Sequence, residues 1–155
     1  MEVSKKDLML HLKSLLFSIN RDRKRYNLRM IEDCLLSQSV PVSLQKTTLG
    51  QNLNYLIHAI TRPEGLKVLL NGLRVIMKHE QPARESGSGF DIGMYIRLVK
   101  AYPGLSRGTH GVVLFPGDTI RALFWRDSDM ALVEQVVSPA DITLIQGTTI
   151  GKDQP

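Results

Sequence analysis

The sequence predicts an α+β protein of two modules, a bundle of four to five helices in residues 1–80 and a small five-stranded β-barrel in residues 92–147. Apolar residues recur at helical spacing before residue 80 and alternate with polar residues after Gly93. Between these parts, residues 79–91 have no apolar periodicity and contain Pro82, Gly87 and Gly89. We therefore expect a flexible linker over residues 81–91 and a flexible tail over residues 148–155.

Three strong apolar stripes and one weaker stripe predict the helices of the first module. Their members recur at the spacing i, i+3 or i+4, i+7 and i+8, which places them on one face of a helix. The stripes comprise Leu8, Leu12, Leu15, Leu16 and Ile19; Leu28, Ile31 and Leu35; Leu49, Leu53, Leu56, Ile57 and Ile60; and Leu66, Leu69, Leu70, Leu73, Ile76 and Met77. Pro41 interrupts the pattern after the second stripe. Four helices with apolar faces predict a compact bundle.

Five short segments rich in β-branched and aromatic residues predict the strands of the second module. They are MYIRLVKAY, GVVLF, TIRALFWR, MALVEQVV and ITLI. The turns PGD (116–118) and DSD (127–129) separate the middle strands, and SPAD (138–141) predicts one helical turn before the last strand. Five strands joined by tight turns within about 55 residues indicate a closed barrel, because closure removes exposed edges.

The glycine-rich stretch AYPGLSRGTHGVVLF, residues 101–115, lies between the first two predicted strands. A phosphate-binding loop would end in Lys-Ser/Thr and continue into a helix, whereas this stretch continues into a strand. We therefore interpret it as a barrel loop in which Gly108 and Gly111 provide a positive φ or a close backbone approach.

The composition indicates a globular protein of the cytoplasm. Hydrophobic residues make up 43% of the chain, but no apolar run is long enough to span a bilayer. The N-terminal pattern is unlike a secretory signal, and the single cysteine, Cys34, fits a reducing compartment. The net charge of +5 is unevenly spread, because residues 1–80 hold 13 Lys/Arg and 7 Asp/Glu, whereas residues 92–146 hold 5 of each. This asymmetry predicts two modules with different surfaces.

The segments YIRLVKAYPGLSRGTHGVVLF, IRALFW and VSPADITLI together resemble the small SH3-like barrels related to the KOW group. Those barrels begin with an apolar strand, carry a G-T-x-G-x-V pattern at the start of the second strand, and have a short turn before the last strand. The resemblance covers residues 92–146. It implies a module that binds peptides, proteins or nucleic acid, or packs against a neighbouring domain, and in which catalysis is uncommon.

The segments LKSLLFSINRDRKRYNLRMIEDCLL, LNYLIHAI and GLKVLLNGLRVI are similar to the death-like effector-associated domains of bacterial conflict systems. The final helix of that family carries a GL-x-x-LL-x-x-LR pattern, which is present here as Gly65, Leu66, Leu69, Leu70, Leu73 and Arg74. The resemblance covers residues 5–78. It implies homotypic or heterotypic adaptor binding that couples a sensor to an effector such as a protease or a nuclease.

The sequence contains no local motif for catalysis, so we predict a protein that is not an enzyme and that uses no metal and no cofactor. Cys34 lies inside a helical stripe, and the four histidines (His11, His58, His79 and His110) are dispersed, so no nucleophile–base pair stands out. Neither Cys-x-x-Cys nor His-Glu-x-x-His spacing occurs. A small enzyme with a pocket between the two modules remains open as an alternative.

The strongest charge feature is RDRKRYNLR, residues 21–29, which we interpret as a helix start. Cations in a first helical turn oppose the helix dipole and cost some stability, which favours a binding role. The alternatives are an acidic partner, nucleic-acid phosphates, or a solvated helix start. The candidate contacts are Arg21, Arg23, Lys24, Arg25 and Arg29.

The third predicted strand offers a second candidate surface. If Ile120, Ala122 and Phe124 face the barrel core, then Leu123 and Trp125 face outward. An exposed Leu–Trp pair would be a protein contact, because exposed apolar patches usually have partners. The alternative is that this face packs against the helical module.

These observations predict a non-enzymatic adaptor of a bacterial defence or signalling system. Its partners would be proteins, such as a protease or nuclease effector or a matching death-like domain, with no membrane contact and with homo-oligomerisation left open. The alternative function is nucleic-acid binding, with contacts from Arg97, Arg107, His110, Arg121 and Trp125. The neutral charge of the predicted barrel argues against that alternative, since such modules normally carry a basic patch.

Overall fold

A computed structural model describes residues 4–21, 26–78 and 89–145 of the chain. Five helices precede a five-stranded antiparallel sheet, which confirms the predicted α+β layout in two parts. The helices are α1 (Lys5–Arg21), α2 (Leu28–Ser37), α3 (Val42–Gln45), α4 (Thr48–Ala59) and α5 (Pro63–Lys78). The strands are β1 (Tyr95–Leu98), β2 (His110–Pro116), β3 (Ile120–Arg126), β4 (Ala131–Val137) and β5 (Ile142–Leu144). The predicted tail and all but the last three residues of the predicted linker lie outside the described ranges.

The predicted apolar stripes form the core of the helical part. All their leucines and isoleucines are buried except Leu28, which is half-buried. Local signals fix two helix starts: Asn27 accepts a hydrogen bond from the Arg29 amide at the start of α2, and Thr47 accepts one from the Gly50 amide at the start of α4. The short helix α3 has no buried residue, which explains why periodicity did not predict it.

The sheet has the strand order β4-β3-β2-β1-β5, so β4 and β5 are its two edges. The first strand is shorter than predicted, because Val99 and Lys100 already bend away from it. A 3-10 turn at Pro139–Asp141 separates β4 from β5, and Ser138 caps it as the SPAD segment predicts. Gly108 has a φ of 93°, and a Cβ on Gly111 would lie 2.5 Å from the Phe124 ring, so both glycines act as predicted.

The sheet is buried on both sides. One side encloses a core formed by Ile96, Leu98, Leu105, Val113, Ile120, Ala122, Phe124, Val137 and Ile142. The other side faces the helices, and its residues share a second core with α1, α2, α4 and α5. The sheet members of that shared core are Tyr95, Val112, Leu114, Leu123, Trp125 and Leu132. The helical part and the sheet are therefore joined by continuous apolar packing.

Candidate partner-binding groove

A groove opens where the last turns of α5 pass the paired ends of β2 and β3. Its volume is 440 Å³. Its walls are formed by Asn71, Arg74, Val75, Lys78, Phe115 and Arg121. Among these described side chains three are cations and none is a carboxylate, so the described lining is basic at the border between the helices and the sheet.

The periodicity of α5 builds one wall of the groove. Asn71, Val75 and Lys78 follow one another at intervals of four and three residues, so they lie along one stripe of the helix. Arg74 lies one turn before Lys78 on the solvent side, and both cations are exposed. Val75 is half-buried, because it lies at the boundary between the buried face of α5 and solvent.

A β-bulge builds the other wall. The register of β2 and β3 shifts between Val113 and Phe115, so Leu114 and Phe115 both reach the core that faces the helices. Regular alternation would have turned Phe115 to the opposite side of the sheet. Phe115 pairs with Arg121 across the strands, and together they give the groove a half-buried aromatic floor beside a cation.

Carboxylates outside the lining hold two of the three cations. Arg74 forms an ion pair with Glu32 of α2, and Arg121 forms one of 2.7 Å with Glu134 of β4. No carboxylate in the described part of the chain lies within ion-pair distance of Lys78, which occupies the last turn of α5. An anionic side chain that enters the groove would therefore meet Lys78 directly, beside two arginines already held in place.

A second cleft, of 450 Å³, lies at the other end of α5, against β4 and the β3–β4 hairpin. Its charges are balanced, with Arg62 and Arg126 opposite Glu64 and Asp129. Arg126 donates two hydrogen bonds of 2.8 and 2.7 Å to Asp129, and these bonds lower the pKa of the Asp129 carboxyl group. Its apolar lining comprises Ile60, Val68, Met130, Ala131, Leu132 and Val133.

Leu123 and Trp125 face away from the enclosed core of the sheet, as predicted. The prediction that they form an exposed surface is wrong. Leu123 is 0% exposed and Trp125 is 6% exposed, and both belong to the core shared with the helices. The alternative, that this face packs against the helices, is confirmed. Neither side chain offers an exposed surface to a partner.

Gly72 of α5 explains how the sheet is covered so closely. A Cβ on this residue would lie 2.9 Å from Leu114 and 3.5 Å from Leu123. The backbone of α5 therefore rests almost directly on β2 and β3. A methyl group at this position would require the Leu114 side chain or the helix to shift.

The basic stretch of residues 21–29 is divided between two helices. Arg21 closes α1, with its guanidinium carbon 5.4 Å from the centre of the Phe17 ring, and α2 begins only after Asn27. The predicted unfavourable placement in a first turn is wrong for Arg21, because a cation in the last turn of a helix is favourable. Arg29 is exposed in the first turn of α2. Arg23, Lys24 and Arg25 lie outside the described residues.

The residues of the predicted nucleic-acid interface are not all exposed. Arg97 and His110 are cross-strand partners, and Arg107 is exposed in the loop between β1 and β2. Arg121 and Trp125 stand four positions apart on β3, which is about 13 Å along a strand. Trp125 is buried against the helices, so its ring is not accessible for stacking with a base.

His110 belongs to a polar cluster where α1 meets the sheet. Its Nδ1 lies 2.7 Å from the Tyr95 hydroxyl, and nearby Lys5 forms an ion pair of 3.1 Å with Asp127. Burial, and then the charge of Lys5, lower the pKa of His110, while burial raises the pKa of Tyr95. Both side chains are therefore neutral at pH 7, and neither offers a charge to a ligand.

Cys34 is buried within α2, and burial followed by the charge of Asp33 raises the pKa of its thiol. A protonated, buried thiol is a poor nucleophile. Within residues 4–21, 26–78 and 89–145, no group of three His, Cys, Asp or Glu side chains is placed to hold a metal ion. None of the helices in these ranges has the length and apolar character needed to cross a bilayer.

Five groove residues were not among the sites predicted from the sequence: Asn71, Arg74, Val75, Lys78 and Phe115. Arg121 was predicted, but as a contact for nucleic acid. The four-residue spacing of Arg74 and Lys78 on an amphipathic helix is a signal that could have indicated a basic stripe. Phe115 carries no such signal, because its orientation depends on the bulge.

No protein-family model, curated protein or solved structure matches this chain. The resemblances to SH3-like barrels and to death-like effector-associated domains therefore stay predictions. The groove and its charges are the basis for a functional proposal.

Proposed function

We propose that this protein is a non-enzymatic adaptor that binds an acidic segment of a partner protein in the groove between α5 and the sheet. The described lining of the groove carries the proposal: it combines three cations with the half-buried Phe115 and Val75 and includes no carboxylate. Carboxylates of a partner would pair with the cations, while its apolar side chains would cover the floor.

The groove and the charge distribution favour a protein segment over a nucleic acid. A volume of 440 Å³ accommodates a few side chains. Nucleic-acid modules also present a continuous basic face, and residues 92–146 hold as many acidic as basic residues. The aromatic ring in the groove lies in its floor, where it suits an apolar side chain.

The fold supports the same proposal at a coarser level. We propose that the sheet is an SH3-like barrel, supported by its strand order, its enclosed core and the 3-10 turn before β5. The helical part would be a death-like bundle, supported by the buried Gly65, Leu66, Leu69, Leu70 and Leu73 of α5. The partner would then be an effector or a sensor of a bacterial defence system, in the cytoplasm.

The experiment is affinity purification of the full chain from its native cells, with and without nuclease treatment. The test variant is Lys78→Glu, which reverses one charge of the groove. The matched control is Lys67→Glu, which makes the same change at an exposed position of α5 that does not line the groove. Both variants are checked for unchanged thermal unfolding.

The proposal predicts a protein that the wild type and Lys67→Glu retain after nuclease treatment and that Lys78→Glu loses. Reversal of a charge at an interface rim costs about tenfold or more in affinity, because the partner then faces a like charge. Retention of the same protein by Lys78→Glu would remove the groove from the interface. Loss of all bound protein on nuclease treatment would support nucleic-acid binding instead.

A further inference from the structure

The basic groove and the second cleft lie along one line of α5. Glu64, Val68, Asn71, Val75 and Lys78 are separated by four, three, four and three residues, so they form one continuous stripe. The second cleft ends on this stripe at Val68, and the basic groove begins one turn later at Asn71. The two cavities are therefore successive parts of one seam between α5 and the sheet.

The length of this seam suits a short extended segment. The helix has 16 residues, which correspond to about 24 Å. An extended chain covers about 3.3 Å per residue, so about seven residues span the seam.

The edge of the sheet also favours an extended occupant. Within the described residues β4 pairs only with β3, so the outer edge of β4 presents backbone donors and acceptors. Four residues at the start of β4 and in the preceding turn, Met130–Val133, line the second cleft. An extended segment in that cleft would lie near this edge strand.

The two ends of the seam differ in charge. Among the described lining residues, the end near Lys78 has three cations and no carboxylate, while the end near Glu64 has two cations and two carboxylates. The balanced end also offers apolar side chains to a ligand, with Val68 and the 62% exposed Met130 among its lining residues. A ligand that matches both ends must itself be asymmetric.

We propose that the partner segment is an extended stretch of about seven residues, acidic where it meets Lys78 and Arg121 and apolar where it meets Met130 and Val68. This inference rests on the proposed function, since it assumes that the basic groove binds a partner protein. It adds the shape of the segment, its polarity and a second contact region at the opposite end of α5.

The test is selection of phage-displayed random octapeptides on the immobilised full chain, followed by affinity measurements with synthetic peptides of the enriched sequences. Four variants are compared with the wild type. Lys78→Glu changes the basic end, with Lys67→Glu as its control. Met130→Glu places a charge at the apolar end, and Met130→Gln is its neutral control, because both replacements impose the same strain at a φ of 53°.

The expected enriched peptides carry Asp or Glu at one end and apolar residues at the other. Their affinity should fall about tenfold or more with Lys78→Glu and about fivefold with Met130→Glu, with little change for either control. Acidic peptides that respond to Lys78→Glu but not to Met130→Glu would overturn the seam while leaving the groove as the binding site. Failure of Lys78→Glu to weaken any enriched peptide would overturn the groove itself.

Discussion

On the side of the sheet that faces the helices, the centre and the rim differ in their exposure to solvent. At the centre, Leu123 and Trp125 are covered by the helices. At the rim, Arg121 of the same strand and its cross-strand partner Phe115 border an open groove. The strand β3 therefore contributes to the core and to the candidate site from one face.

This difference follows from where α5 crosses the sheet. Gly72 allows the middle of the helix to lie close to β2 and β3, so the helix shields the central residues of the sheet from solvent. Toward its end the helix turns exposed and polar residues to the sheet border, and the space there stays open. A partner surface in such a fold is found where the covering helix ends, and not where the strand is most apolar.

The largest expected effect is that of Leu123→Ala at the covered centre. The residue is fully buried, so truncation should lower the free energy of unfolding by about 3 kcal/mol through lost burial and a residual cavity. Its control is Val136→Ala on β4, where a 41% exposed side chain should cost less than about 1 kcal/mol. Urea unfolding measures both; equal losses would contradict the distinction between centre and rim.

Gly72→Ala tests how closely α5 packs against the sheet. At an exposed helical position this change would stabilise the protein by about 1 kcal/mol. Here we expect a net loss of about 1 kcal/mol, because the new methyl group would press on the buried Leu114. Asn71→Ala, one residue earlier and exposed, should instead stabilise slightly. A stabilising Gly72→Ala in thermal unfolding would show that α5 lies further from the sheet.

A pH-dependent effect tests the junction of α1 with the sheet. The pKa of His110 is lowered in the folded protein, so the unfolded chain binds a proton first as the pH falls below about 6.5. The stability linked to His110 is complete above that pH and decreases below it. The groups facing His110 are Tyr95, Lys5, Asp127 and Arg97. They come from both α1 and the sheet, so the protonation of His110 reports on the contact between the two parts of the fold.

The measurement is urea unfolding of the wild type and His110→Gln at about pH 7.5 and about pH 5.5. The wild type should lose more stability than the variant over this interval. The other titrating groups are common to both proteins and cancel in the comparison. An identical loss in the two proteins would place His110 in solvent rather than at a buried junction.

The smallest expected effect concerns the ion pair between Lys5 of α1 and Asp127 of the hairpin. Its side chains are partly exposed, so a double-mutant cycle with Lys5→Ala and Asp127→Ala should give a coupling below about 1 kcal/mol. The coupling should nearly vanish in about 1 M salt. A coupling that persisted in salt would mean that the ion pair is less exposed to solvent than the structure shows.

The sequence predicted the elements whose physics is local. Apolar spacing marked the helices, and Gly111 marked a close approach between strands. Alternation along β3 correctly separated Leu123 and Trp125 from the enclosed core. It could not tell solvent from a covering helix, because both faces of this strand are apolar and the covering residue, Gly72, is distant in the chain.

The groove was beyond sequence reasoning for the same reason. Its residues come from α5 and from two strands, and the pairs that meet are separated by about 40 positions. The orientation of Phe115 depends on a bulge that leaves no local pattern, and the open space depends on the angle at which α5 crosses the sheet. Arg74 and Lys78 were visible as a basic spacing, but only the fold shows that Arg121 joins them.

Photo-crosslinking in native cells tests the central claim most directly. The full chain would carry p-benzoylphenylalanine in place of Phe115 in the groove or, as the control, in place of Leu144 on the far edge strand β5. We expect a covalent adduct with one partner protein from position 115 and none from position 144. Adducts from position 144 alone, or none from position 115, would contradict the account.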